Sequence, residues 1–244
     1  MNRIAVVLLA LTAGTSQGAL IDRGGGLIYD DVLNITWLQD ANYAKTSGYN
    51  TDGWMTWGEA ISWVANLEYY DSVRGVTYDD WRLPKINLSS GVGFNYPIYT
   101  YDGSSLQGWN FSAPGTVHEG STLSELAHLF YNDLNNIAFF NFDGSNNPNW
   151  LWNVFNNGPF INLQYHYYTI DKSYHNNIPG IGTSWGFGFV SGDQVEMGGL
   201  TAQWAVRNGD VAPTDDPSPI PEPSILTLLL IAGLSFLGLR QKKR

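Results

Sequence analysis

No cysteine occurs anywhere in the chain, and that absence constrains the fold more than any motif does. The structure must be held by packing and hydrogen bonds without disulfides, and neither a thiolate metal site nor a cysteine nucleophile is available. The material for packing is aromatic. All ten tryptophans lie between Trp37 and Trp204, and with 14 tyrosines and 11 phenylalanines they supply a large share of a core. Abundant asparagine and glycine between them suit long turns.

Both ends of the chain read as addresses. Residues 1–18 carry Arg3, an apolar run Ile4–Leu11, and small residues Ser16 and Gly18. That is the order of a secretory signal peptide, with cleavage expected after Gly18. At the other end Pro221, Glu222 and Pro223 precede an apolar run, Ile225–Leu239, and the basic residues Arg240, Lys242, Lys243 and Arg244. The run has 15 residues, whereas about 20 are needed to span a hydrocarbon core of ~30 Å. The basic cluster favours the cytoplasmic side. A marginal span of this kind suits a transient stop better than a permanent anchor. Residues 212–220, rich in Pro and Asp, read as an extended linker. Residues 19–211 remain for one domain with a sizeable core. An exported chain without disulfides points to a Gram-negative bacterium.

Charge narrows the partners. Residues 19–220 hold seven basic and 21 acidic groups, a net charge of −14, with no basic stripe. Nucleic-acid binding is therefore not expected.

Within the domain, Leu27–Tyr29 and Ile35–Leu38 form two short β-type runs around a polar turn, which predicts a hairpin. "TWGEAISWVANLEYY" (residues 56–70) predicts a helix, capped by Thr56 and Glu59, with Trp57, Ala60, Ile61, Val64 and Leu67 on its apolar face. "TLSELAHLFYNDLNN" (residues 122–136) predicts a second, capped by Thr122 and Glu125, with Leu123, Leu126, Ala127, Phe130 and Leu134 on one stripe. "FINLQYHYYTI", "SWGFGFV" and "TAQWAVRN" are candidate strands; Trp185, Phe187, Phe189 and Ala202, Trp204, Val206 alternate with period two. This order predicts an α+β domain, a twisted antiparallel sheet with two flanking helices.

Two resemblances add to this. Pro221-Glu222-Pro223, the short apolar run and the basic end resemble the PEP-CTERM sorting signal. The resemblance implies export through the Sec translocon, transient anchoring in the inner membrane, and processing by an exosortase to the cell surface or the extracellular matrix. "NITWLQDA", "WGEAISW", "DDWRLP", "SELAHLF" and "WAVRNGD" together resemble the Lcl C-terminal-type domain over residues 26–210. That likeness implies a C-type-lectin-like arrangement. Residues 89–120 depart from its pattern as a long insert.

Candidate ligand-binding residues are few. In "DDWRLP", Asp79, Asp80 and Arg82 are placed to bind a ligand, or else Trp81 fills the core while Arg82 pairs with a carboxylate. In "DGSNNPN" oxygens stand at Asp143, Asn147 and Asn149, with Trp152 just beyond. Alternating oxygens suit a hard cation, so calcium is the one cofactor this loop suggests. An EF-hand, however, needs Gly and Glu where this loop has Pro148 and Val154. The four histidines show no ligand spacing, and no nucleophile elbow, P-loop or dinucleotide fingerprint occurs. No catalytic residue is assigned. The leading expectation is a non-enzymatic binding module for extracellular polysaccharide. Its alternatives are a glycan hydrolase using two carboxylates and a purely structural surface protein.

Overall fold

A computed structural model describes residues 19–87, 99–150, 155–173 and 183–211. The predicted signal peptide, the linker, the Pro221–Pro223 motif, the apolar run and Trp152 lie outside the described residues. The chain divides into two compact units, Met1–Val211 and Ala212–Arg244. All the described residues belong to the first, and among them no helix is long and apolar enough to cross a membrane.

The predicted hairpin forms. β2 (Leu27–Asp30) and β3 (Ile35–Leu38) pair antiparallel, and Asp30 Oδ1 accepts from the backbone of Val32 and Leu33 in the turn. β1 (Leu20–Asp22) and β12 (Val206–Asn208) extend it to a four-stranded antiparallel sheet ordered β1-β2-β3-β12. Both faces of its centre are buried. Leu27 and Leu38 meet one cluster of apolar residues, and Ile28, Trp37 and Val206 meet another.

The first cluster sits under α2 (Trp57–Ala65), where the Thr56–Glu59 capping box is complete. Ala60, Trp63 and Val64 are its buried residues; Trp57 and Ile61 are only partly covered. The expected helix ran on to Tyr70. It stops instead at Asn66, whose side-chain amide donates to Ser62 O at 2.7 Å. Tyr69–Asp71 then form β5, paired with β6 (Val76–Tyr78) as a separate two-stranded sheet.

The second cluster joins the four-stranded sheet to a six-stranded one. Its order is β4-β11-β8-β9-β10-β7, where β4 is Trp54–Met55, β7 Gly108–Trp109, β8 Tyr167–Ser173, β9 Thr183–Gly188, β10 Asp193–Gly198 and β11 Thr201–Ala202. Every pairing in it is antiparallel except β11 with β8. The α+β class holds, while the expected single sheet is corrected to three among the described residues. The reason lies in "TAQWAVRN". This segment does not form one strand: Thr201–Ala202 stays in the larger sheet, and Val206–Asn208 crosses into the smaller. Trp204, fully buried at the crossing, donates its indole N–H to Leu38 O at 2.8 Å. Its ring meets those of Trp37, Phe160, Tyr168 and Phe189. "FINLQYHYYTI" is likewise strand only from Tyr167 onward, and β10 was not anticipated.

The second predicted helix is shorter than expected. After the four-residue α1 (Tyr43–Thr46) and α2, α3 spans Glu125–His128 and passes into a π-helical turn, Leu129–Asp133. Leu126, Ala127, Phe130 and Leu134 are buried as expected, but Ser124 rather than Thr122 is the cap. Ser124 Oγ accepts from Ala127 N and donates to Gln194 Oε1 on β10. Glu125 is drawn away from any capping role by Arg82.

Candidate ligand-binding face

The most distinctive surface is built by the segment from residue 99 to 120, and glycine makes it possible. Gly103 (φ +73°) and Gly108 (φ +109°) adopt left-handed backbone, and a Cβ on Gly108 would stand 2.1 Å from Thr100 O. No other residue permits that approach. The chain therefore folds back, with Thr100 N donating to Gln107 O and Trp109 N to Thr100 O. Buried Asn110 fixes the return: its amide donates to Tyr101 O at 2.6 Å and Phe140 O at 3.0 Å. Its backbone N–H donates to the Tyr131 hydroxyl, which donates in turn to Gly192 O.

This scaffold lays rings beside one another. Tyr101 stacks on Trp109 at 5.1 Å between centroids and 13° between planes, and both meet Phe140 in T-shaped contacts. Tyr99 adjoins Trp109. From Phe140 the run continues through Phe139, Trp150 and Phe155 to Tyr165. Trp150 is held by its indole N–H on Val190 O at 2.7 Å. Eight rings thus form one continuous line, and Tyr99, Tyr101 and Tyr165 remain 49%, 38% and 47% exposed. The other five rings are partly buried, with Trp109 and Phe155 packed against the core, so the exposed tyrosines stand on a fixed aromatic base, an arrangement that suits an interaction surface.

A cleft of about 600 Å³ opens beside this line. Phe140, Phe142, Ala113 and Ile137 give it apolar walls, and Asn110, Asn135, Asn136, Asn141, Asn147 and Asp143 give it polar groups. Most of those amides are already committed: Asn136 bonds the Asn156 backbone, Asn141 reaches Ser145, and Asn147 reaches Ala138 O. They are held rigid rather than free to rotate. Asp143 accepts from the Ser145 amide and hydroxyl, which hold its carboxyl below the usual carboxylate range. It is charged at neutral pH. Among the described residues lining the cleft it is the single carboxylate.

The predicted site residues separate into two groups. Asp143 and Asn147 line the cleft, and Asn149 lies exposed next to them, its N–H on Asn147 Oδ1. Asp79, Asp80 and Arg82 are not among its lining residues. Arg82 forms a two-pronged pair with Glu125, both contacts at 2.8 Å, and also reaches Asn208. Asp80 pairs with Arg207, whose guanidinium lies 4.2 Å from the Tyr78 ring centre. Trp81 is buried with its N–H on Tyr78 O. These contacts tie β12 and α3 to the loop after β6, a fastening role. Sequence reasoning missed Tyr99, Tyr101, Trp109 and Asn110 altogether. The signal available was the Tyr-x-Tyr pair followed by Gly103 and Gly108 inside the unexplained insert.

A second cluster of ionisable groups is buried. The Asp133 side chain is 1% exposed and its carboxyl is pushed up to about 8 by burial and by Asp30 and Asp31. Burial also raises Asp30 and lowers His128, whose Nε2 lies 3.7 Å from Asp133 Oδ1. Among the described residues no group of three or more His, Cys, Asp or Glu side chains is arranged to hold a metal.

Compared with models of known families, with curated proteins and with solved structures, the chain matches none.

Proposed function

We propose that this is an exported surface or matrix protein whose aromatic face binds extracellular polysaccharide without turning it over. The observation that carries the reading is the line of eight rings beside an amide-lined cleft. Sugar rings present apolar C–H faces that stack on such aromatics, and the exposed Asn135 and the Asp143 carboxylate in the cleft lining offer partners to hydroxyls. A chain-like ligand suits a line of rings better than a single deep pocket does. The net charge of −14 over residues 19–220 disfavours polyanionic glycans, so the preferred ligand is uncharged. Hydrolysis by paired carboxylates needs two acids about 5–10 Å apart, and the described cleft lining offers only Asp143.

Delivery follows from the ends of the chain. The reading includes Sec-dependent export, transient retention in the inner membrane and exosortase processing at a PEP-CTERM signal, supported by Pro221–Pro223, the 15-residue apolar run and the basic terminus. An Lcl C-terminal-type domain with a C-type-lectin-like arrangement is supported by the mainly antiparallel sheets and few helices.

A carbohydrate array probed with the purified protein at several calcium concentrations tests the binding reading. Saturable retention on uncharged glycans is expected. Turnover of a glycan without stable binding would contradict it. Retention that appears only with calcium would assign the Asp143–Asn149 loop a cation.

A further inference from the structure

The N-terminal edge of the domain carries a feature that export alone does not account for. Ala19 directly precedes β1, and its backbone nitrogen donates to Asp31 Oδ1 at 2.8 Å, while Asp31 N reaches back to Ala19 O at 3.4 Å. Asp31 belongs to a group of three carboxyls with Asp30 and Asp133; both Asp30 and Asp31 act on Asp133. Among the described ion pairs, no lysine or arginine is joined to any of the three. The nearby Arg23 is paired with Asp210 and lies over the Tyr29 ring. One carboxylate of this acidic group thus holds a backbone nitrogen, and that nitrogen is the first atom after Gly18, with small residues at Ser16 and Gly18.

We propose that the peptide bond between Gly18 and Ala19 is the maturation site, and that the α-ammonium released there is the cation that pairs with Asp31. Hydrolysis of this bond by a signal peptidase leaves a carboxylate on Gly18 and a protonated amine on Ala19. An amide N–H donating to Asp31 becomes a charged donor without moving, and the hydrogen bond becomes charge-assisted. The new charge also stands beside the Asp31 carboxylate where β1 meets β2, and it holds the register in which Leu20 faces Asp30. Processing therefore completes the fold as well as removing the signal.

The proposal rests on the export part of the function above and is independent of the ligand. The test uses the full-length chain exported under its own N-terminal segment, recovered as wild type and as Asp31→Asn. Intact mass and N-terminal sequencing of both should give Ala19 as the first residue. The α-amino group is then titrated by NMR or by the pH dependence of its acylation. Asp31 is in hydrogen-bond contact with it, and Asp30 and Tyr29 lie on β2 opposite Leu20 and Ile21. Asp133 interacts with Asp30 and Asp31, His128 lies beside Asp133, and the substitution changes Asp31 alone. In wild type the group should titrate above the ordinary range of about 7.7–8.0, by roughly 0.2–0.7 of a pH unit, the range an exposed ion pair converts to. Asp31→Asn should remove most of that rise. A first residue other than Ala19 overturns the proposal, as does identical titration in the two proteins. Recovery of chain still beginning at Met1 overturns the export reading as well, whereas cleavage at another bond overturns the maturation site alone.

Discussion

Asp133 shows most directly how a single residue ties this protein to pH. Its carboxyl is buried beside Asp30, Asp31 and His128, and it keeps its proton until about pH 8. The unfolded chain releases that proton near the ordinary aspartate value of 3.8. The folded state therefore binds the proton more tightly, so the associated stability is complete below 3.8 and is lost as pH rises towards 8. His128 acts in the opposite sense. Burial lowers its pKa, so its contribution is present above 6.5 and falls as pH drops below that value. Between pH 6.5 and about 8 Asp133 alone sets the slope of this pair. Thermal melts should show the midpoint falling across that window in wild type, and Asp133→Asn should flatten the fall. A variant with an undiminished slope would place the proton elsewhere.

At the scale of elements, two helices of similar sequence signature start in different ways. The cap of α2 is local: Thr56 and Glu59 serve each other at the surface. The cap of α3 is tertiary, because Ser124 also donates to Gln194 on β10, which in turn donates to Leu106 O. Thr56→Ala should cost about 1 kcal/mol, the usual loss of a cap. Ser124→Ala should cost about 2 kcal/mol, since it also leaves a buried amide oxygen without its donor. Urea denaturation of the two variants measures the difference. The same contrast explains what the sequence made legible. Hairpin β2–β3 and helix α2 are set by neighbours within a few residues, so periodicity and capping signals located them. The shift of the α3 cap from Thr122 to Ser124 depends on Arg82 taking Glu125 across 43 residues. The split of β11 from β12 depends on Trp204 finding Leu38 O across 166. Of the candidate site, Asp143 and Asn147 were visible as oxygen-bearing turn residues. The ring line was not, because it is assembled from four segments whose approach relies on Gly103, Gly108 and the reach of Asn110.

Over the whole domain, aromatic packing takes the place that disulfides hold in many exported proteins. Trp204 is its hub, touching four other rings where the chain crosses between sheets. Trp204→Leu should cost about 3–4 kcal/mol through lost packing and the orphaned Leu38 carbonyl, read as a lower denaturant midpoint with loss of near-ultraviolet dichroism. The ring line carries the same chemistry to the surface, where Tyr99, Tyr101 and Tyr165 are exposed, and the proposal is that it holds an uncharged glycan. The most direct measurement is a binding isotherm for such a glycan with wild type and with the double variant Tyr101→Ala/Trp109→Ala, each shown to be folded by circular dichroism. The account predicts at least about a tenfold weaker dissociation constant for the double variant, equivalent to about 1.4 kcal/mol, with Asp79→Asn binding as wild type does. Equal affinity in the folded double variant and wild type would contradict it.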